Sequence, residues 1–158
     1  EIIMKKALIL YILLFITNFT FSQLNIIAKE KLETLKQVYK WNDEKILLVN
    51  FYLPKNNCHY NQYENLDRSK NWIENNIYYS INLSNIKKIY VYSDKFKALQ
   101  IIDNKRCFED FENYFYNNFF NGSESCFGII AINSDGRYSI KIGEFTTEDV
   151  NLLLKTIN

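Results

Sequence analysis

The sequence has little of what bends or staples a chain. Among 158 residues there are one proline and four glycines, which excludes a collagen-like, proline-rich or glycine-linker protein. Charge of one sign is missing as well. Lys and Arg number 19 against 18 Asp and Glu, so no overall basic field recruits nucleic acid or an acidic membrane surface. There is one histidine, His59, which removes any Ser–His–Asp argument built on a choice of histidines. No Gly-rich phosphate loop and no metalloprotease helix is present. Three cysteines are too few for a disulfide scaffold, and an odd number cannot pair completely within one chain.

Aromatic and apolar residues are plentiful. The chain carries 12 Tyr and 12 Phe and is 47% hydrophobic, which excludes a disordered polar chain. Its length suits one domain able to bury a core without metal or disulfide support. The 21 asparagines, with abundant Ile, Lys, Tyr and Phe, are read as codon bias rather than chemistry. The two N-x-Ser sequons, at Asn82 and Asn121, are expected as chance matches in so Asn-rich a chain.

Met4 is read as the start. Lys5 and Lys6 form a short positive region, an apolar run follows from Ala7 through Ile16, and Phe21-Ser22-Gln23 closes it. That is the pattern of a secretory signal peptide over residues 1–22, with an uncleaved membrane anchor as the alternative. Thr17, Asn18 and Thr20 leave the fully apolar stretch shorter than the ~20 residues a spanning helix prefers. A periplasmic or secreted product is therefore expected, touching a membrane only through an uncleaved leader. The remainder, residues 23–158, makes one domain and is formally neutral, 17 basic against 17 acidic residues.

Periodicity orders this domain. Residues 27–40 read as an amphipathic helix. Residues 46–53 are a nearly continuous apolar run, which suits a strand buried on both faces, and Pro54 ends it. A helix is expected over 61–76, an ambiguous short strand over 77–83, and a strand over 86–92. Phe108, Phe111, Phe115 and Phe119 recur at helical spacing, which predicts a helix over 107–120 with an aromatic core stripe. Glu109, Asp110 and Glu112 would then lie on its solvated face, and Cys107 would begin it as a buried packing residue. A strand over 127–132, the turn Asn133-Ser134-Asp135-Gly136 and an edge-like strand over 137–142 form a hairpin. Thr146 is the expected N-cap of a terminal helix presenting Val150, Leu153, Leu154 and Ile157. The fold class is α/β, with helices on both faces of one sheet. Tyr60, Tyr63, Tyr78, Tyr79, Tyr90 and Tyr92 fit either a binding surface or half-buried packing.

This order, behind a secretory leader, resembles the thioredoxin-like family, a three-layer sandwich with a central mixed sheet. Lys45-Ile46-Leu47-Leu48-Val49-Asn50-Phe51-Tyr52 is similar to the family's first core strand, and 128–137 to its late hairpin. The family's redox motif is degenerate here. Without gaps its two cysteine positions fall on Asn56 and His59; with a two-residue insertion they fall on Cys58 and Asn61. No dithiol exists in either alignment. The position of the family's cis-proline falls near Phe127, where a trans bond is expected.

The resemblance implies a site made of Cys58, His59 and Cys126. It would set Cys58 at a helix N-terminus beside His59, where a thiolate is favoured. It would also bring Cys126 opposite Cys58, with Cα atoms roughly 4.4–6.8 Å apart, as a structural staple or a redox pair. A metal held by these three lacks a fourth ligand, and no cofactor is expected. Two functions follow. One is a non-catalytic binding or interaction module of the bacterial envelope, partnered by another envelope protein. The other is an oxidoreductase acting on protein thiols through Cys58, alone or with Cys126.

Overall fold

The computed structural model describes residues 25–53 and 65–158. Residues 1–22, Cys58, His59, Tyr60, Tyr63 and the expected helix start at 61–64 lie outside the described residues. Helix α1, Lys29–Val38, has no glycine or proline, Glu30 in its first turn and Lys36 in its last, which complements the helix dipole at both ends. Leu32 and Leu35 are its buried residues, and Tyr39 continues their face. Strand β1, Ile46–Tyr52, is buried at every position. Helix α2, Leu66–Asn76, buries Leu66 and Ile73, one face seven residues apart. Strand β2 is Ile86–Tyr92, and β3 is the short Cys107–Glu109. The hairpin strands are β4, Phe127–Asn133, and β5, Tyr138–Ile142. Helix α3, Thr147–Ile157, starts with a full capping box. Thr146 Oγ1 accepts the Asp149 N–H, and Asp149 accepts that of Thr146.

The sheet runs β3-β2-β1-β4-β5. β1 pairs parallel with β2, Ile46 opposite Ile86, and antiparallel with β4, Tyr52 opposite Phe127. β1 is therefore the central strand, as its unbroken apolar run requires. The pleat divides its side chains between two cores. Leu48 and Tyr52 pack with Ile73, Val150, Leu153 and Leu154 under α2 and α3. Leu47, Val49 and Phe51 pack with Leu32, Leu35, Phe115 and Phe120 under α1. Each such side chain removed from water contributes about 1.5–3 kcal/mol. Helices thus cover both faces, and all four apolar residues expected on the terminal helix are buried.

Two expectations for secondary structure fail. Residues 77–83 form turns rather than a strand. Ile77 and Tyr78 are buried there, because their side chains fill the space between α2 and the sheet. The larger failure is the helix over 107–120. Cys107–Glu109 joins the sheet beside β2, Tyr90 opposite Cys107. A single 3₁₀ turn, Phe111–Asn113, follows, and then a short wide turn, Tyr116–Phe120. Glu112 and Asn113 have φ of 53° and 52°, a left-handed backbone no α-helix contains.

The phenylalanine spacing survives in part as core packing. Of the four, Phe108 and Phe115 are buried, Phe119 is partly buried against the same core and Phe111 is exposed; Phe120, off that spacing, is buried as well. Burial of Phe120 requires Gly128, where an added Cβ would sit 2.7 Å from the Phe120 ring and 2.7 Å from the Lys141 carbonyl. Asp110 is buried rather than on a solvated face, and Cys107 is buried at the start of a strand. The tyrosines divide: Tyr78, Tyr90 and Tyr92 are buried, while Tyr79 is exposed.

Candidate functional site

Three parallel strands, β1, β2 and β3, point their carboxyl ends the same way, and antiparallel β4 begins at that same end. The backbone continues the staircase past the ladder. Ser93 N–H donates to the Tyr52 carbonyl at 3.0 Å, and Asp110 N–H to the Tyr92 carbonyl at 2.9 Å. On the other side Leu53 N–H donates to the Cys126 carbonyl at 2.6 Å. The carboxyl edge of a parallel sheet is where open α/β folds bind ligands. Here it holds a cleft of about 610 Å³, lined by Leu53, Ser93, Asp94, Phe96, Asp110 and Tyr116 among others. A smaller cavity of about 230 Å³ lies at the opposite end, beside Lys45 and Asn158.

Asp110 is the buried charge of the cleft. Its Oδ1 accepts the Phe115 N–H at 3.0 Å and its Oδ2 the Tyr116 N–H at 2.9 Å. Burial raises its pKa to about 6, more than those backbone donors lower it. Beside it, the Tyr39 hydroxyl accepts the Phe111 N–H at 3.2 Å and donates to the Glu109 carbonyl at 3.5 Å. Burial lifts the Tyr39 phenol well above the usual tyrosine range, so it stays a neutral donor. The rim carboxylates are matched by lysines: Glu109 with Lys95 at 3.2 Å, Asp94 with Lys97 at 3.7 Å, and Glu112 with Lys31 at 3.6 Å. The cleft combines an exposed aromatic, Phe96, with balanced polar groups. That suits recognition of a mixed polar and apolar surface rather than a strongly charged one.

Of the expected site residues, Cys126 lies at this end of the sheet, one residue before β4. Phe127, which follows it, packs against Tyr52 and Phe145. Among the described residues no peptide bond is cis, so the bond before Phe127 is trans, as expected. Cys126 is not a free thiol; Cys107 is the free cysteine among the described residues. The Cys107 side chain faces the core under α2, and burial raises its pKa above the ordinary thiol value, which makes it a poor nucleophile. Cys58 and His59 fall outside the described residues, so their approach to Cys126 does not enter this geometry. Among the described residues no group of three or more His, Cys, Asp or Glu is placed to hold a metal ion, and no helix is long and apolar enough to cross a membrane.

Asp110 is the site residue that sequence reasoning missed. Its signal was local. An Asp that follows a short Cys-Phe-Glu strand and precedes Phe-Glu-Asn is a turn-and-cap pattern, but the phenylalanine spacing around it matched a helix more strongly. Compared with known proteins, the chain matches no family model, no curated protein and no solved structure.

Proposed function

We propose that the chain is an exported thioredoxin-like domain that lacks the dithiol and serves as a non-catalytic binding module of the bacterial envelope. It would engage a partner protein through the cleft at the carboxyl ends of β1, β2 and β3. The observation that carries this reading is the Leu53–Cys126 backbone hydrogen bond, 2.6 Å long, which puts a cleft-lining residue and the expected site cysteine side by side. The topology supports it too. A central strand with a parallel neighbour on one side and an antiparallel hairpin on the other, closed by a terminal helix, is the arrangement the resemblance implies. Short β3 then occupies the outer edge beside β2.

In this reading Cys126 pairs with Cys58. Cys107 is free, and Cys58 follows Leu53 by five residues, a span of up to roughly 17 Å. A disulfide needs only about 4.4–6.8 Å between Cα atoms. The bond would tie the chain after β1 to the start of β4. Consuming both thiols in a staple favours a binding module. The same placement at the carboxyl end favours one second reading, an oxidoreductase that cycles this bond.

Two measurements on the full chain separate these. Non-reducing peptide mass spectrometry is expected to recover Cys58 and Cys126 in one linked species and Cys107 as a thiol; Cys58 and Cys126 alkylated independently would reject the pairing. Thiol–disulfide exchange between glutathione and a protein disulfide is expected to run no faster with the wild type than with Cys126→Ser. Exchange accelerated by the wild type alone would replace the module with the oxidoreductase.

A further inference from the structure

The chain leaves buried Phe120 for β4 through a tight turn. Asn121 has φ −62° and ψ 126°, and Gly122 follows at φ 80°, the two central positions of a type II turn. The flanks are tied. Ser123 N–H donates to the Phe120 carbonyl at 3.0 Å, and Asn121 N–H to the Tyr116 carbonyl at 2.8 Å. The peptide between Asn121 and Gly122 is not tied. Both residues are exposed, and among the described residues neither the Gly122 N–H nor the Asn121 carboxamide makes a hydrogen bond. The space around Gly122 is open, since a Cβ built there would meet nothing within 4 Å.

Comparable positions among the described residues are shielded. In Asn133-Ser134 the Ser134 N–H donates to the Lys45 carbonyl at 3.1 Å. The Asn133 carboxamide is buried, donates to the Ile157 carbonyl at 2.7 Å, and accepts the Asp135 and Arg137 N–H groups. In Asp135-Gly136 the glycine is buried and its N–H donates to the Asn133 carbonyl at 2.9 Å. The Asn82 side chain accepts the Ser84 N–H at 3.0 Å, and the bulky Leu83 follows it.

We propose that Asn121 is a site of spontaneous deamidation, at which this turn converts its own asparagine to aspartate and isoaspartate. The Gly122 backbone nitrogen gives its proton to solvent base and bonds to Asn121 Cγ. The Cγ–Nδ2 bond breaks, and Nδ2 takes a proton from water and leaves as ammonia, which closes a cyclic imide. Water then adds to either imide carbonyl. Opening the new N–Cγ bond gives aspartate. Opening the original peptide bond gives isoaspartate, whose backbone runs through the side chain. Nothing is oxidised or reduced. At a ψ of 126° the nitrogen points away from Cγ, so the peptide must first rotate. Type II and type I turns differ by a flip of this same peptide, its N–H holds no bond to break, and glycine accepts either sign of φ. Isoaspartate lengthens the backbone beside Phe120, whose ring covers Gly128 and stacks on Phe51. Either product adds a negative charge to the turn that leads to Cys126. The reaction needs only the chain and water, so it stands whether or not the binding-module reading holds.

Peptide mapping by mass spectrometry tests it on the folded full chain, incubated at pH 8 and at pH 5, with an isoaspartyl methyltransferase labelling the rearranged product. The amide at Asn121 is expected to be lost at pH 8, and faster than at pH 5, because the attacking nitrogen must shed a proton. It should reappear as two acid products, one of them labelled. Asn82, Asn133 and the Asp135-Gly136 bond should stay intact in the folded chain. Asn121→Gln, whose longer side chain must close a larger ring, should abolish the labelling. An Asn121 that stays intact while an unstructured peptide of residues 118–124 reacts would overturn the site. So would loss at Asn82 or Asn133 as fast as at Asn121, or labelling retained in Asn121→Gln.

Discussion

Glu74 shows how one side chain can join three elements. It projects from α2 and receives the Lys88 ammonium and, at 2.7 Å, the Tyr90 hydroxyl, both from β2. Arg106, just before β3, reaches it at 3.0 Å. Lys88 also lies 4.2 Å from the centroid of the Tyr78 ring, a cation–π contact, and Tyr78 donates to buried Asn50 at 2.7 Å. A polar chain thus runs from the centre of the sheet to its rim with its members paired. Burial alone would raise the Glu74 carboxyl, but the hydrogen bonds from Lys88 and Tyr90 and the charges of Lys88 and Arg106 outweigh it and hold it low. Replacement Glu74→Gln leaves the largely buried Lys88 ammonium without its counter-charge. It is expected to cost about 2–3 kcal/mol in urea unfolding; a loss under ~0.5 kcal/mol would show that the pair is solvent-screened after all.

Between elements, the register of β4 depends on an atom that is absent. Gly128 stands opposite Phe51 in β1 and Ile142 in β5, and the Phe120 ring, stacked 4.3 Å from that of Phe51, covers it. Gly128→Ala introduces a methyl group where no space exists. It is expected to destabilise the protein by about 1–3 kcal/mol, lowering the melting temperature by several degrees in a calorimetric scan. An unchanged melting temperature would mean that Phe120 moves aside freely. The same neighbourhood explains why the segment from Cys107 to Phe120 was misread. Spacing of phenylalanines reports which residues tend to face a core, and Phe108, Phe115 and Phe119 of the four do. It does not report that the first lies on a strand and the others on a turn folded back over the sheet. Hydrogen bonding to β2 and to Asp110 settled that, and both involve partners distant from a local pattern.

For the whole molecule, pH dependence follows from opposing groups. Asp110 has a native pKa of about 6 against an ordinary value of 3.8. The folded chain therefore binds this proton more tightly than the unfolded chain, and stability rises as pH falls through 6 toward 4. Glu74 and Asp103 are displaced the other way. Burial by itself would raise the Asp103 carboxyl, but the N–H groups of Cys107, Arg106 and Lys105 together outweigh it and hold it low, as the partners of Glu74 do there. Their contributions are present above the ordinary carboxylate range and are lost as pH falls below it. Maximal stability is expected between about pH 4.5 and 6, with the rise from pH 7 absent in Asp110→Asn. Urea midpoints measured from pH 3.5 to 8 check this; a monotonic increase toward pH 8 would contradict the burial assigned to Asp110.

What the sequence determined by itself was the pattern that needs no partner to be read. An unbroken apolar run such as 46–52 has no solvent face and belongs in the middle of a sheet. Thr146 with Asp149 caps a helix within its own first turn, and Asn133-Ser134-Asp135-Gly136 reverses the chain locally, with Gly136 at a φ of 85°. What only the tertiary structure decided was where segments of mixed signal go. Cys107–Glu109 became a strand because β2 offered a free edge. Asp110 became a buried cap because the ends of β1 and β2 left a cleft to enclose, and its altered proton affinity exists only once water has been excluded around it. Local preference fixes conformation where the competing energies are small, and packing overrules it wherever burial of several aromatic rings is at stake.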